Sequence, residues 1–364
     1  MILGLLQQLV GIIQPSHVYY GSIGVLCLLA IGIVIILKTG SEYATKAQLQ
    51  NLRRVGLSNS NMTDQYDAQY SIPEGASNQD SIRIKALFIH PIKSCGPVEV
   101  ESAVLRKSGF VYDRAFSFAV QPTTKTPDDS TQSKFISQRT KPSMALIKTE
   151  IWAPHKLSDT RDPLVQAGGC ILVRFPDTGP VTWLQRVRAS IEQGDWNATP
   201  RCSFIVPYEP TSTSISQHNL QTQAFQIHSR DVTGLDMGRI PSIANALPKL
   251  QHFLGYSDKH KLQLFKCIPQ SLLRTTLNLA PIVNIGSPAV HGFTDQQPIH
   301  LNSLASVHAV SELLPVENRP LDALRFRANI WVTGAAAHDE DAWLRCRIAD
   351  AKSTDEDASV VISV

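Results

Sequence analysis

Residues 84–97 read Ile84-Lys85-Ala86-Leu87-Phe88-Ile89-His90-Pro91-Ile92-Lys93-Ser94-Cys95-Gly96-Pro97, and the fold is decided here. With Ile82 the apolar residues before Pro91 form a β-branched run that reads as a buried strand. Pro91 cannot donate to a sheet ladder and closes that strand, and Gly96-Pro97 is a turn signal. Lys93, Ser94 and Cys95 therefore stand on a short connection at a strand end. A cation beside a hydroxyl suits an anionic ligand. Working outward, Val98–Leu105 alternates as a strand with one wet face, and Gly109-Phe110 turns. Residues 111–118 return as a third strand carrying Asp113-Arg114 at its start. Local pattern alone favours a β-meander whose Lys93 and Arg114 are merely solvated.

Beyond residue 118 the chain offers many short strands and few helices. Phe135–Arg139, Ala145–Ile151, Cys170–Phe175, Ser203–Pro207, Ala224–His228 and Leu262–Cys267 read as strands. Helices are expected over 183–192, over 243–254 with its apolar spacing broken by Pro248, and over 304–314, capped by Asn302 or Ser303. Residues 325–332 alternate as a strand, which puts Arg325, Arg327 and Asn329 on one face. Such a face is more often solvated than functional. The pattern predicts a mainly β fold with some α, an α+β class built on barrels.

The 364 residues allow one large or two intermediate globular units behind an anchor. A formal charge of +3, with no Lys/Arg cluster interleaved by aromatics, excludes an electrostatic nucleic-acid binder. The six cysteines (27, 95, 170, 202, 267, 346) show no CxxC and no zinc or iron–sulfur spacing, which fits reduced thiols facing a cytosol. Neither a P-loop, a GxGxxG nor a GxSxG elbow is present. Residues 21–37 are uncharged, preceded by Tyr19-Tyr20 and ended by Lys38. Their length approaches the roughly 20 residues that cross a bilayer, with interfacial anchors at both ends. Lys38, Lys46, Arg53 and Arg54 follow the span, so an uncleaved signal anchor over about 19–38 with a cytosolic C-terminal body is expected. Residues 41–81 are polar and read as a flexible linker, with a short helix around 43–55 as an alternative.

The block HPIKSCGP, followed by VESAVL, a Gly turn and YDRAF, resembles the N-terminal β-barrel region of MOSC-domain proteins. The amidoxime-reducing components of the mitochondrial outer membrane are the nearest type. The likeness continues through residues 135–142 (FISQRTKP), 293–298 (FTDQQP), 324–330 (LRFRANI) and 339–343 (DEDAW). It implies barrel domains over 82–280 and 281–348, behind residues 1–40 and the linker, with a divergent tail over 349–364. It also implies a molybdenum cofactor (Mo-molybdopterin) whose phosphate and pterin are held by Lys93, Ser94, Arg114, Arg327 and Asn329. Arg139 of the second block completes the candidate set with Ser303, where a helix N-terminus with a hydroxyl suits an anion, although capping alone would explain that serine.

The activity implied is molybdenum-dependent reduction of small N-hydroxylated substrates, with cytochrome b5-type electron donors and the lipid bilayer as partners. In such proteins a cysteine in an Arg-Cys context before Val-Asp-Pro ligates the metal. Here Trp343 is followed by Leu344-Arg345-Cys346-Arg347-Ile348, and Cys346 stands too close to Trp343 to match that register. No metal ligand is assigned, the end of the second domain is expected to be missing, and redox activity is expected to be impaired. A non-catalytic cofactor carrier and an inactive truncated form are the alternatives. Pyridoxal phosphate on Lys93 has no partner for a pyridinium nitrogen in view.

Overall fold

The computed structural model describes residues 15–38, 41–76, 81–123, 132–276, 279–349 and 360–363. Much of the expected polar loop after residue 120, and most of the tail, lie outside them. The chain divides into two compact units, residues 1–50 with 180–201, and residues 51–179 with 202–364.

The first unit is helical: α1 (Pro15–Lys38), α2 (Ser41–Gln48) and α3 (Trp183–Gln193). In α1 the side chains of Tyr20, Leu26, Leu28 and Ile31 are exposed. Counting only described residues, no helix is long and apolar enough to cross a membrane. Residues 1–14 and several side chains of α1 lie outside that count. Helix α3 starts at Thr182, which exchanges bonds with Gln185 in a capping box, and stops at the left-handed Gly194.

The second unit is β-rich. Its strands include β1 (Leu52–Val55), β2 (Arg83–Ile89), β3 (Val98–Val100), β4 (Phe116–Pro122), β5 (Ser133–Phe135), β6 (Lys148–Pro154) and β7 (Cys170–Pro176). They continue with β8 (Arg201–Pro207), β9 (Thr222–Ile227), β10 (Arg230–Asp236), β11 (His260–Lys266), β12 (Leu301–Ser303) and β13 (Ile330–Thr333). Strands β9-β10-β11-β4-β5 close a barrel, β1-β6-β7-β8 form one four-stranded sheet, and β12-β13-β2-β3 form another. Helix α4 (Pro241–Phe253) buries Ile243, Ala246, Leu247 and Leu250 and runs on through Pro248. Helix α5 (Leu304–Glu312) is capped by the Ser303 hydroxyl, which accepts from the Ala305 N–H.

The barrel interior is aromatic. Phe225 stacks on Phe265 at 4.3 Å between centroids, and Phe293 meets Phe225 edge-on at 5.3 Å. Gly234 makes this possible, because a Cβ there would lie 3.0 Å from Phe265 and 3.1 Å from Phe225. A buried polar set also lies within, where the Gln263 amide accepts from Ser133 and donates to Asp236. In the second sheet β13 pairs with β2, bringing residues near 330 against residues near 87. Trp331 is fully buried there with Phe88, Met62 and Leu304.

Three expectations are corrected. The polar stretch 41–81 is largely part of the body. Strand β1 pairs with β6, Ser60 and the Asn61 N–H are held by the Glu99 carboxylate, and Met62 is buried. Polar composition hid this because the segment is tied down by hydrogen bonds to Glu99 rather than by an apolar period. The third opening strand starts at Phe116 rather than Val111. Tyr112 and Arg114 take left-handed backbone (φ 72° and 44°), with Tyr112 packed on Tyr208 and bonded to the Gly168 carbonyl. Residues 323–326 form a 3-10 turn capped by Asp322 and closed by left-handed Arg327 (φ 58°), so Arg325, Arg327 and Asn329 do not alternate along a strand.

Candidate functional site: a cation cluster around one carboxylate

The segment after β2 folds back along the start of β4. The Arg114 N–H donates to the His90 carbonyl, Phe116 N–H to Pro91, and Lys93 N–H to Phe116. This ladder places Lys93 beside Arg114. Gly96 passes close under the Ile147 carbonyl, to which its N–H donates, and a Cβ there would lie 2.9 Å from that oxygen. Cys95 is wholly buried behind the loop, and that burial pushes its thiol up to about 12. It is a packed thiol, not a thiolate.

Lys93 is 7% exposed, and its ammonium donates to Asp295 Oδ1 at 2.5 Å. His228 Nε2 meets the same oxygen at 3.0 Å, so that nitrogen carries the proton. Burial pulls the Asp295 carboxyl up, but the Lys93 charge and hydrogen bond, with His228, outweigh it and hold it at about 2. Burial lowers the Lys93 pKa against the pull of Asp295. Phe135 lies under the ammonium at 5.5 Å from its ring centre. Asp295 itself belongs to the irregular segment after Phe293, with its side chain 65% exposed.

Arg230, first residue of β10, donates to the Thr294 carbonyl at 3.0 Å and to His291 Nε2. An imidazole nitrogen that accepts from a guanidinium is unprotonated, so the His291 proton is on Nδ1, which faces the Thr275 hydroxyl at 3.0 Å. Burial, then the Arg230 charge, keep this histidine neutral.

Below the cluster lies a buried clamp. Asp113, with its side chain 1% exposed, accepts from the His90 N–H at 2.8 Å and from Arg114 Nη1 at 2.6 Å. Burial raises the Asp113 carboxyl, but Arg114 and His90 prevail and its pKa is lowered. Arg114 Nη1 also donates to Asn329 Oδ1 at 3.0 Å, and Nη2 to the Arg327 carbonyl at 2.9 Å. His90, between them, is wholly buried and driven by burial to about 3, so it is neutral. Two buried atoms here lack a hydrogen-bond partner, Nδ1 of neutral His90 and Nη2 of Arg327. Burial first, then Arg114, lower the Arg327 pKa to about 10, and Asp295 lies within the electrostatic reach of that guanidinium. Lys93, Arg114, Arg230 and Arg327 against Asp113 and Asp295 leave two positive charges in excess.

Of the residues expected from sequence, Lys93, Arg114, Arg327 and Asn329 are thus brought together, and Ser94 stands next to Lys93 in left-handed backbone (φ 68°). Asn329 is 1% exposed and internally engaged. Its Oδ1 accepts from Arg114 and from the His300 N–H, and its Nδ2 donates to Phe88. Ser303 is fully buried as the cap of α5. Arg139 is exposed on the loop after β5 and shares no hydrogen bond with the cluster. Arg230, His228, His291 and Asp295 were not among the expected site residues. Only Asp295 fell in a quoted block, and the turn that carries His228 and Arg230 has no motif that would have flagged it. Among the described residues no group of three His, Cys, Asp or Glu could hold a metal ion by itself.

Residues 81–170 match the family model described as the MOSC N-terminal beta barrel domain, and residues 288–358 match that of the MOSC domain. Lys93 and Arg114 lie in the first match; Asp295, Arg327 and Asn329 lie in the second. No curated protein matches the chain.

Proposed function

The chain is a MOSC-domain protein, and on that premise we propose that it binds a molybdenum cofactor through the phosphate of its pterin, held by Lys93 and Arg327. MOSC domains are generally molybdenum-cofactor-binding domains. The observation that carries the reading is the buried, unpartnered Nη2 of Arg327 inside a cluster with two positive charges in excess. A buried guanidinium donor without an acceptor is costly, and a phosphate oxygen supplies the acceptor with matching charge. The residues present therefore fit the phosphate end of such a group. Lys93 would give a point charge, Arg327 a planar donor and Ser94 a hydroxyl. Asp295 shields the Lys93 ammonium from water and is the internal anion a phosphate must displace or share.

When bound, the cofactor supplies a two-electron redox centre, and the protein's part is placement and electrostatics. Reduction of small N-hydroxylated compounds with cytochrome b5-type donors is the activity we propose. A second reading, cofactor holding without turnover, is favoured by Cys95. This cysteine lies within electrostatic reach of Arg327, and its burial keeps it a thiol. We further propose a membrane anchor formed by α1, whose Leu26, Leu28 and Ile31 are exposed, with the second unit in the cytosol and the mitochondrial outer membrane as its site.

The test is cofactor retention. Molybdenum and pterin per chain should fall by roughly 10- to 150-fold in affinity for Lys93→Ala and Arg327→Ala, as for loss of a charge-assisted hydrogen bond. Lys261→Ala, an exposed control, should retain wild-type content. Equal retention in all three sinks the site. Benzamidoxime turnover with a supplied cytochrome chain separates the two readings, and Cys346→Ser tests whether that thiol contributes. The anchor reading fails if the full chain washes off membranes in carbonate.

A further inference from the structure

The resemblance makes Arg114 one of the residues that touch the anion, yet three of its five N–H donors are engaged within the protein. Both Nη1 hydrogens are taken, by Asp113 and Asn329, and one Nη2 hydrogen goes to the Arg327 carbonyl. Arg114 is itself left-handed (φ 44°), and the residue whose carbonyl it holds, Arg327, is left-handed too (φ 58°). Non-glycine residues persist in that region when their surroundings over-determine them. Main-chain bonds hold part of each, from the Arg114 N–H to His90 and from the Arg327 N–H to Leu324, and the Arg114 guanidinium, tied to a buried carboxylate and a buried amide, links the two. We propose that Arg114 is a positioning residue, which holds the Arg327 main chain so that the Arg327 guanidinium is presented to the anion, with Asp113 and Asn329 keeping Arg114 in place. The proposal rests on the phosphate-site reading above.

The geometry separates this role from that of a ligand. A ligand arginine contributes its charge and its own hydrogen bonds, so its loss adds to the loss of Arg327. A positioning arginine acts through Arg327, so the two losses overlap. Lysine at position 114 keeps the charge but lacks the planar fork that serves Asp113, Asn329 and the Arg327 carbonyl together. Asp113 gives a second contrast. Replacing it with asparagine removes a negative charge from a cationic site, and charge alone would tighten anion binding. If Asp113 orients Arg114, binding weakens instead.

The experiment measures inorganic pyrophosphate binding to the full chain by calorimetry at fixed ionic strength, with thermal melts confirming that each variant is folded. Wild type, Arg114→Lys, Arg327→Lys, the double variant and Asp113→Asn are compared. Arg114→Lys and Arg327→Lys should each weaken binding about tenfold, and the double variant should bind no worse than Arg327→Lys, the non-additivity expected of coupled residues. Asp113→Asn should weaken binding. Wild-type affinity in Arg114→Lys, or losses that multiply in the double variant, would overturn the positioning role alone. Tighter binding by Asp113→Asn would do the same, and if that variant does not fold, the double-variant comparison decides. A wild-type chain that binds no pyrophosphate overturns the phosphate site and this role with it.

Discussion

Phe88 and Asn329 are bonded twice across a sequence gap of 241 residues. The Phe88 N–H donates to the Asn329 carbonyl at 2.8 Å, and Asn329 Nδ2 returns a bond to the Phe88 carbonyl at 3.0 Å. This pair of hydrogen bonds joins β2, which ends at Ile89, to the segment after the turn that presents Arg327. It is one of the points where the two matched segments meet.

Asn329→Ala should therefore be severe. It leaves the Phe88 carbonyl, the His300 N–H and Arg114 Nη1 short of a partner in a buried setting, at about 1–3 kcal/mol for each uncompensated group. Urea unfolding should show a loss on the order of 3 kcal/mol or more. A loss under about 1 kcal/mol would mean that the network re-pairs through water.

Asp295→Asn should act in two directions. Without an anion, the buried Lys93 ammonium loses its partner and thermal stability falls. With inorganic pyrophosphate, the internal competitor is gone and affinity should rise severalfold, towards about tenfold. Unchanged pyrophosphate affinity would show that Asp295 and the anion occupy different sides of Lys93.

His90 makes stability depend on pH. Burial, then the Arg114 charge, put its folded pKa near 3, against 6.5 for an ordinary histidine. Above pH 6.5 both states are neutral and the contribution is fully present. Below it the unfolded chain binds a proton that the folded chain refuses, so stability falls by up to about 1.4 kcal/mol per pH unit. His291 and His300, both lowered chiefly by burial, act in the same direction. Unfolding free energies at pH 7 and pH 5 should converge in His90→Asn by as much as one proton's slope. Parallel slopes in the variant and wild type would assign the titration to other groups.

Thiol labelling checks the packing behind the loop. Cys95 is fully buried with its thiol near 12. Iodoacetamide should spare Cys95 on the native chain and modify it once denaturant is added. Native labelling of Cys95 would show that the segment 91–97 opens.

The sequence by itself determined the elements set by local rules. An apolar run stopped by Pro91 became β2, the Cys170 run became β7, the 243–254 pattern became α4, and Ser303 became a cap, because periodicity, proline and capping act over a few residues. It also carried Lys93 and Arg327 into the candidate site through resemblance. Tertiary structure alone decided what those cations do. The Lys93–Asp295 bond spans 202 residues and the Arg114–Asn329 bond 215, and no local period encodes a pairing at that range. Arg230 and His228 joined the cluster because the β9–β10 hairpin closes the barrel beside Asp295. Residues 52–55 joined the body by pairing with β6, and Ser60 and Asn61 through Glu99, whose two acceptor oxygens organise a polar segment that composition alone marks as loose. Arg114 reads as a ligand in the chain order and as a clamp in space, since a donor's partner is set by what folds against it.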